Sequence, residues 1–372
     1  MEHSRFHPFV VFSELKICLK EISAHLKLLL EFMEKFMLKV AEFKTQKVTA
    51  RKISSHETIT NYIQHPTVLG FDDIAGLKDL KKILYTVVIL PKQQPQLFYN
   101  RVPGNSILLY GPPGTGKTKL VHGIAAESGS ILYCISLSDI LSALVGETEK
   151  NIHEIFTQLK KSDSRCILFI DEIDGICRKR GNSEHDHSRR LKTEIMKQMN
   201  QIETCNNIVV IAATNCPWDL DNAVLRRFKK QIYTPLPDEE ERVDLFHLLT
   251  RNENVFDSVD EIQKLSEMSD GLSGSDISNL VQDALDMPLN ELHETKIWKK
   301  CEDGFYEPYQ GDILEVDSAN YEDIWISELK DLPPMSVRAR NVTMADFCEA
   351  IKQVQVTVTP EDIKKYEDFQ ST

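Results

Sequence analysis

The chain has 372 residues, 41% of them hydrophobic and 27% charged, with a formal net charge of −13. That length allows two or three domains around a substantial core, and the composition is that of a soluble globular protein with no low-complexity tract. The charge is uneven: residues 252–372 hold 27 acidic against 10 basic side chains, which argues against general nucleic-acid binding in that third.

The first sixty-odd residues read as helices. Ile22, Leu26, Leu29, Met33, Phe36 and Val40 recur at spacings of four and three, so they share one helix face. Leu28, Leu30, Phe32 and Met37 widen that stripe beyond a coiled-coil seam, as in a helix buried on two sides of a small bundle. Shorter helices are expected over Val10 to Leu19 and Thr45 to Gln64. The N-terminal helical segment is therefore set at 1–65, and Pro66 ends the pattern.

The segment Val68 to Leu77 leads into an amphipathic stretch ending near Pro91. Beyond it, Ile107 to Tyr110 reads as a short buried strand, and Gly111-Pro-Pro-Gly-Thr-Gly-Lys117-Thr118 fits the phosphate-loop pattern before a helical continuation. Glycines there let backbone N–H groups close around phosphate oxygens, and the helix N-terminus adds its positive dipole end. Pro113, Gly114, Thr115, Gly116, Lys117, Thr118 and Lys119 are the expected cradle. Lys117 can reach the β- and γ-phosphates of ATP, and the Thr118 hydroxyl can ligate Mg²⁺.

Further strands are expected at 131–136, 166–170, 208–213 and 231–234, with helices at 149–160 and 188–201 between them. Short β-branched strands alternating with helices predict an α/β fold, a parallel sheet covered on both faces over 66–237, with ligands beyond the strand C-termini. The strand Ile167 to Ile170 runs into Asp171-Glu172, about 55 residues after the phosphate loop. Asp171 is placed to hold Mg²⁺, and Glu172 is the general-base candidate for the attacking water. Asn215, at the polar tip of Ile211-Ala-Ala-Thr-Asn215, would align that water without adding charge.

After Pro237 the chain turns helical, with helices expected at 238–252, 259–268, 275–292, 343–354 and 360–369. These make 238–372 a small helical domain, interrupted by a β insertion at about 298–334, whose strand candidates are Asp312 to Val316 and Ile324 to Ser327. The eight cysteines are scattered, and none has metal-site spacing. With no secretory signal and no apolar run of about 18 residues, a cytoplasmic setting is expected.

Phosphate loop, Asp171-Glu172, Ala213-Thr-Asn215 and Leu225-Arg-Arg-Phe228 follow one another in the order and approximate spacing of the AAA ATPases, which the chain resembles. The resemblance implies that Arg226 and Arg227 are arginine fingers completing the nucleotide site of a neighbouring subunit, so the active form would be a ring, a homo-hexamer. It narrows to the meiotic clade, which holds ESCRT-disassembling and microtubule-severing ATPases. Phe71 to Leu77 is similar to that clade's adenine-side segment, with Ile74 and Gly76 near the base. Gly271 to Ile277 is similar to its ribose- and adenine-touching segment, with Gly274 at the close approach.

The length between Gly274 and Asp346-Phe347, filled by the β insertion, favours the branch that dismantles ESCRT-III filaments. That branch implies ESCRT-III subunit tails and a cofactor protein at the β insertion as partners, and a peripheral place on endosomal membranes. Microtubule severing and a nucleotide-dependent scaffold with weak translocation remain alternatives. Two positions depart from the family pattern. In the first pore loop, Ala143-Leu144-Val145 puts Leu144 where an aromatic is expected, so grip on a substrate peptide would lack ring stacking. The loop Asn182 to His187 would be the second pore element. The N-terminal segment resembles a microtubule-interacting-and-transport (MIT) domain only in part and is short.

Overall fold

A computed structural model of the chain describes residues 62–99, 104–135, 147–162, 164–177, 186–202, 205, 207–251, 255–256, 258–309 and 324–371. The helices expected before residue 62, the pore-loop residues Ala143, Leu144 and Val145, most of the loop at 182–187, and the strand candidate at 312–316 lie outside the described residues. Asn61 to Thr372 forms one compact unit.

Strand β1 (Ile63–Gln64) starts the described chain, and helix α1 (Lys78–Leu84) continues through a π-helical turn, Tyr85–Ile89, into α2 (Leu90–Gln93). Next come β2 (Ser106–Tyr110), α3 (Lys117–Ser128), β3 (Ile131–Ile135), α4 (Glu147–Lys161) and β4 (Cys166–Ile170). Then follow α5 (Asp174–Cys177), α6 (Asp186–Ile202), β5 (Ile208–Thr214), α7 (Asn222–Leu225) and β6 (Lys230–Tyr233). The sheet order is β1-β3-β4-β5-β2-β6. All pairs are parallel except β1, which runs antiparallel to β3 at the edge.

Two expectations change here. Ile63 and Gln64, assigned from sequence to a helix, form the edge strand instead, paired with Tyr133 and Leu132. The sheet is accordingly mixed rather than wholly parallel. Residues 186 and 187, taken as loop, open α6.

The central strands explain themselves. Every residue of β2, β4 and β5 is buried, as expected of strands covered on both faces. Because these strands are parallel, Tyr110, Ile170, Thr214 and Tyr233 end at one edge of the sheet, with Tyr110 opposite both Thr214 and Tyr233. All four chain exits therefore meet there.

Helices α8 (Glu239–Leu249), α9 (Val259–Met268), α10 (Gly274–Glu294) and α11 (Met344–Gln353) close around their own core of Phe246, Leu265, Leu280 and Phe347. Between α10 and α11 lie β7 (Ile297–Lys300), β8 (Tyr306–Pro308) and β9 (Ile324–Ile326), an antiparallel sheet of order β8-β7-β9. Trp298, fully buried, anchors it, and its indole N–H donates to the Ser327 carbonyl at 2.9 Å. Finally α12 (Pro360–Gln370) stacks on the ends of the sheet: Tyr366 packs on Trp218 and Tyr233, and Phe369 packs edge-on against Tyr110.

Candidate active site

The loop after β2 is folded for close approach of an anion. Gly111 sits hard against Thr234, whose N–H donates to the Tyr110 carbonyl at 2.8 Å; any Cβ at position 111 would fall on the Thr234 carbonyl. Gly114 has φ +75, and a Cβ there would lie 2.5 Å from the Ser273 hydroxyl oxygen. The Thr115 hydroxyl closes the turn by donating to the Pro112 carbonyl at 3.0 Å. Helix α3 then begins at Lys117, so its free N–H groups and positive end open onto the loop.

The Lys117 ammonium is buried and donates to the carbonyls of Gly111 (2.9 Å) and Pro112 (2.7 Å). Burial pushes its pKa down to about 8, against the opposing pull of Asp171 and Asp174. Three of its neighbours are oxygens, so phosphate oxygens would meet a cation already oriented inside the loop.

The Thr118 hydroxyl donates to one Asp171 carboxylate oxygen at 2.8 Å, and the other accepts the Glu172 N–H at 2.9 Å. Two hard oxygens side by side at a phosphate loop suit Mg²⁺, which binds through one or two protein oxygens, water and substrate phosphate. With the Thr118 hydroxyl and the Asp171 carboxylate as the protein oxygens, the remaining positions fall to water and phosphate, so the donor set fits an ion that arrives with a nucleotide. Glu172 holds φ +49, a left-handed conformation that costs a non-glycine residue about 1–2 kcal/mol. Such strain tends to gather where a side chain must be aimed.

Asn215 is strapped from both sides. The Thr214 hydroxyl donates to Asp174 at 2.6 Å and accepts the Cys216 N–H at 3.0 Å. The Tyr366 hydroxyl donates to the Asn215 carbonyl at 2.5 Å.

These groups line one cavity of about 460 Å³: Pro113 to Lys119, Asp171, Glu172, Asn215, Ile74 and Gly274. Gly76 is beside it rather than in it, since its neighbours Ala75 and Leu77 form the wall. The sequence reading missed part of the lining. Leu245, Leu248 and Leu249 of α8 supply an apolar wall, Glu241 of the same helix adds a carboxylate, and Ser275 and Ser278 come from α10. The leucine spacing was readable, but the same spacing describes a helix that faces only its own core. The Ser275 N–H donates to the Gly114 carbonyl at 3.1 Å, and a Cβ at Gly274 would lie 3.1 Å from the same oxygen, so α10 rests on the phosphate loop.

Arg226 and Arg227 are not in this cavity. Arg226 is exposed and closes α7; Arg227 is half-buried beside Lys192 and Asp221 in a second hollow, its Nε buried without a hydrogen-bond partner. One chain thus assembles the phosphate cradle, the Thr118–Asp171 pair, Glu172 and Asn215, and leaves both arginines elsewhere.

Comparison with known proteins agrees with this geometry. Residues 107–236 match the family described as ATPase family associated with various cellular activities (AAA), and residues 321–372 match the Vps4 C terminal oligomerisation domain. The chain is 34% identical over 308 residues to vacuolar protein sorting-associated protein 4 of Dictyostelium discoideum, covering 80% of this chain and 68% of that protein. It is 37% identical over 318 residues to vacuolar protein sorting-associated protein 4B of Mus musculus, covering 82% and 70%. Spastin of Sus scrofa matches at 34%, over 82% of this chain and 44% of its own. Among solved structures, the FIGL-1 AAA domain in complex with ADP aligns with a TM-score of 0.66 at 28% identity, covering 86% of this chain and 98% of that one.

Proposed function

Since the chain belongs to the AAA ATPase family and hydrolyses ATP, we propose that it works as a homo-hexameric ring that dismantles ESCRT-III filaments. The observation that carries this choice within the family is the antiparallel sheet β8-β7-β9 set between α10 and α11, the insertion expected of the ESCRT-III branch and usually lacking in severing enzymes. The match of residues 321–372 to an oligomerisation domain supports a ring. The ATPase domain runs to residue 237 and takes in β1, whose Ile63 and Gln64 pair with β3, so the boundary expected at 65 moves back to Asn61; residues 238–372 are the helical lid.

In each subunit the phosphate loop and Lys117 bind and orient the triphosphate. Thr118 and Asp171 would hold Mg²⁺, and that ion would supply neutralisation of charge on the phosphoryl oxygens. Glu172 takes the proton of the attacking water, and Asn215 fixes that water's position. Arg226 and Arg227, outside their own chain's cavity, reach the site of the neighbouring subunit, where a guanidinium is worth about 10³–10⁵ in rate. Catalysis then depends on contact between subunits, so each hydrolysis event loosens or remakes that contact and moves a substrate tail held near Ala143, Leu144 and Val145.

Trp325 (47% exposed) and Ile326 (77% exposed) on β9 offer an apolar surface to a cofactor protein. Among the described residues no helix is long and apolar enough to cross a membrane. The endosomal surface is reached through partners, from the cytoplasm.

The spastin match favours a second reading, microtubule severing. ATPase assays with ESCRT-III tail peptides and with tubulin separate the two. Stimulation by the peptides and none by tubulin is expected, and the reverse pattern would transfer the chain to the severing branch.

A further inference from the structure

The segment Ile74–Leu77 is an unusual piece of backbone to find in a cavity wall. Gly76 and Leu77 both have positive φ, +57 and +53, so two successive residues sit in the left-handed region and one of them carries a side chain. Leucine gains nothing there by itself. Something must hold the turn.

Two side chains do. Lys81 of α1 donates its ammonium to the Ile74 carbonyl, and Glu241 of α8 accepts the Leu77 N–H on Oε1. The first partner is local, seven residues away; the second comes from the lid, 164 residues along the chain. Glu241 can approach because residue 76 is glycine: a Cβ at that position would lie 2.6 Å from the Glu241 Cγ. Its other oxygen, Oε2, accepts the Asp238 N–H at 3.3 Å, while the Glu241 N–H donates to Asp238 at 2.8 Å, a capping box that starts α8. One carboxylate therefore both caps the lid helix and holds the turn across from it.

The place matters as much as the bond. Ile74, Ala75 and Leu77 line the apolar part of the cavity with Leu245, Leu248 and Leu249, and Glu241 is the ionisable group contributed by α8 between them. The phosphate loop takes the charged part of a nucleoside triphosphate, so this apolar slot takes the base. Its width is set by the separation of the Ile74–Leu77 turn and α8. The Glu241 bond spans that gap.

We propose that Glu241 is the positioning residue of the base slot, fixing the Leu77 turn against the lid helix so that the slot is formed before the base enters. It acts through the backbone of Leu77, and its effect falls on binding of the base and not on the phosphates. The proposal rests on the phosphate-loop assignment and is independent of what the ring acts upon.

The test compares affinities for ATP and for tripolyphosphate, a ligand with no base, by calorimetry on the full chain. Loss of a charge-assisted hydrogen bond predicts that Glu241→Ala weakens ATP binding about tenfold and leaves tripolyphosphate unchanged. Glu241→Gln, whose amide oxygen can still accept from Leu77, should restore most of the ATP affinity. Asp238→Ala removes the cap of α8 but not the partner of Leu77; it should lower Tm and leave both affinities within about twofold. Unchanged ATP affinity in Glu241→Ala, an equal loss for both ligands, or the same loss in Asp238→Ala would overturn the proposal. No tripolyphosphate binding by the unaltered chain would overturn the phosphate-loop assignment and the proposal with it.

Discussion

The Tyr366 hydroxyl donates to the backbone carbonyl of Asn215 at 2.5 Å, across 151 residues of sequence. Tyr366 is 2% exposed, and its ring packs on Trp218 and Tyr233 with centroids 5.0 and 5.8 Å away. The last helix of the described chain thus holds the residue proposed to align the attacking water. Tyr366→Phe keeps the ring and loses the bond, and a neutral hydrogen bond is worth about 0.5–1.5 kcal/mol. The expected outcome is a kcat lower by roughly three- to tenfold with ATP affinity unchanged. Tyr366→Ala also loses a buried ring and should destabilise the chain by about 3–5 kcal/mol in denaturant titration. Equal kcat in Tyr366→Phe and wild type would show that Asn215 needs no such support.

Glu172 carries the chemistry in this account. Glu172→Gln keeps the cavity wall and the Glu172 N–H bond to Asp171, so ATP affinity should hold while kcat falls by about 10²-fold or more. The variant should also hold the ring together in ATP. Single-turnover kinetics with equilibrium binding measures both, and turnover near wild type would remove Glu172 from the role of base.

Asp346 fixes the lid. It accepts from the Arg340 guanidinium at 2.6 and 2.7 Å and from the Thr343 N–H at 2.7 Å, and Arg340 also clasps Glu291 on α10. Arg340 beside it holds the Asp346 carboxyl below its ordinary value of 3.8, with burial opposing. A depressed folded pKa means that the contribution is fully present above 3.8 and is lost as pH falls through the lower folded value. Asp346→Asn should therefore cost about 2–4 kcal/mol at pH 7 and at pH 5, with the gap to wild type narrowing below pH 3.8. A gap that stays constant down to pH 2 would mean that the carboxylate charge contributes nothing.

How much of this was legible in the amino-acid sequence depends on how local each contact is. Strands β2 to β5 are continuous apolar runs, and their ends could be read within a residue or two because burial on both faces leaves no polar position inside them. Helix α9 was equally plain, its expected span of 259–268 matching the structure. Strand β1 was hidden: it has two residues, and only its pairing with Tyr133 and Leu132 makes it a strand. Glu241 and Tyr366 were hidden for a related reason. In sequence one is the fourth acid of a capping run and the other an apolar-face helix position; each gains its role from a partner more than 150 residues away. The phosphate loop escapes this difficulty because its ligands are its own consecutive backbone groups.

The claim on which the ring mechanism turns is that Arg226 serves a neighbour's nucleotide, and subunit mixing addresses it directly. Arg226→Ala leaves its own cavity intact, whereas Glu172→Gln lacks a working base but can still offer its arginine. Each variant alone should be nearly inactive. In a mixture, an Arg226→Ala subunit beside a Glu172→Gln subunit regains a complete site, so ATPase activity should rise well above the sum of the two. Activity that stays at that sum across all mixing ratios would contradict catalysis shared between subunits.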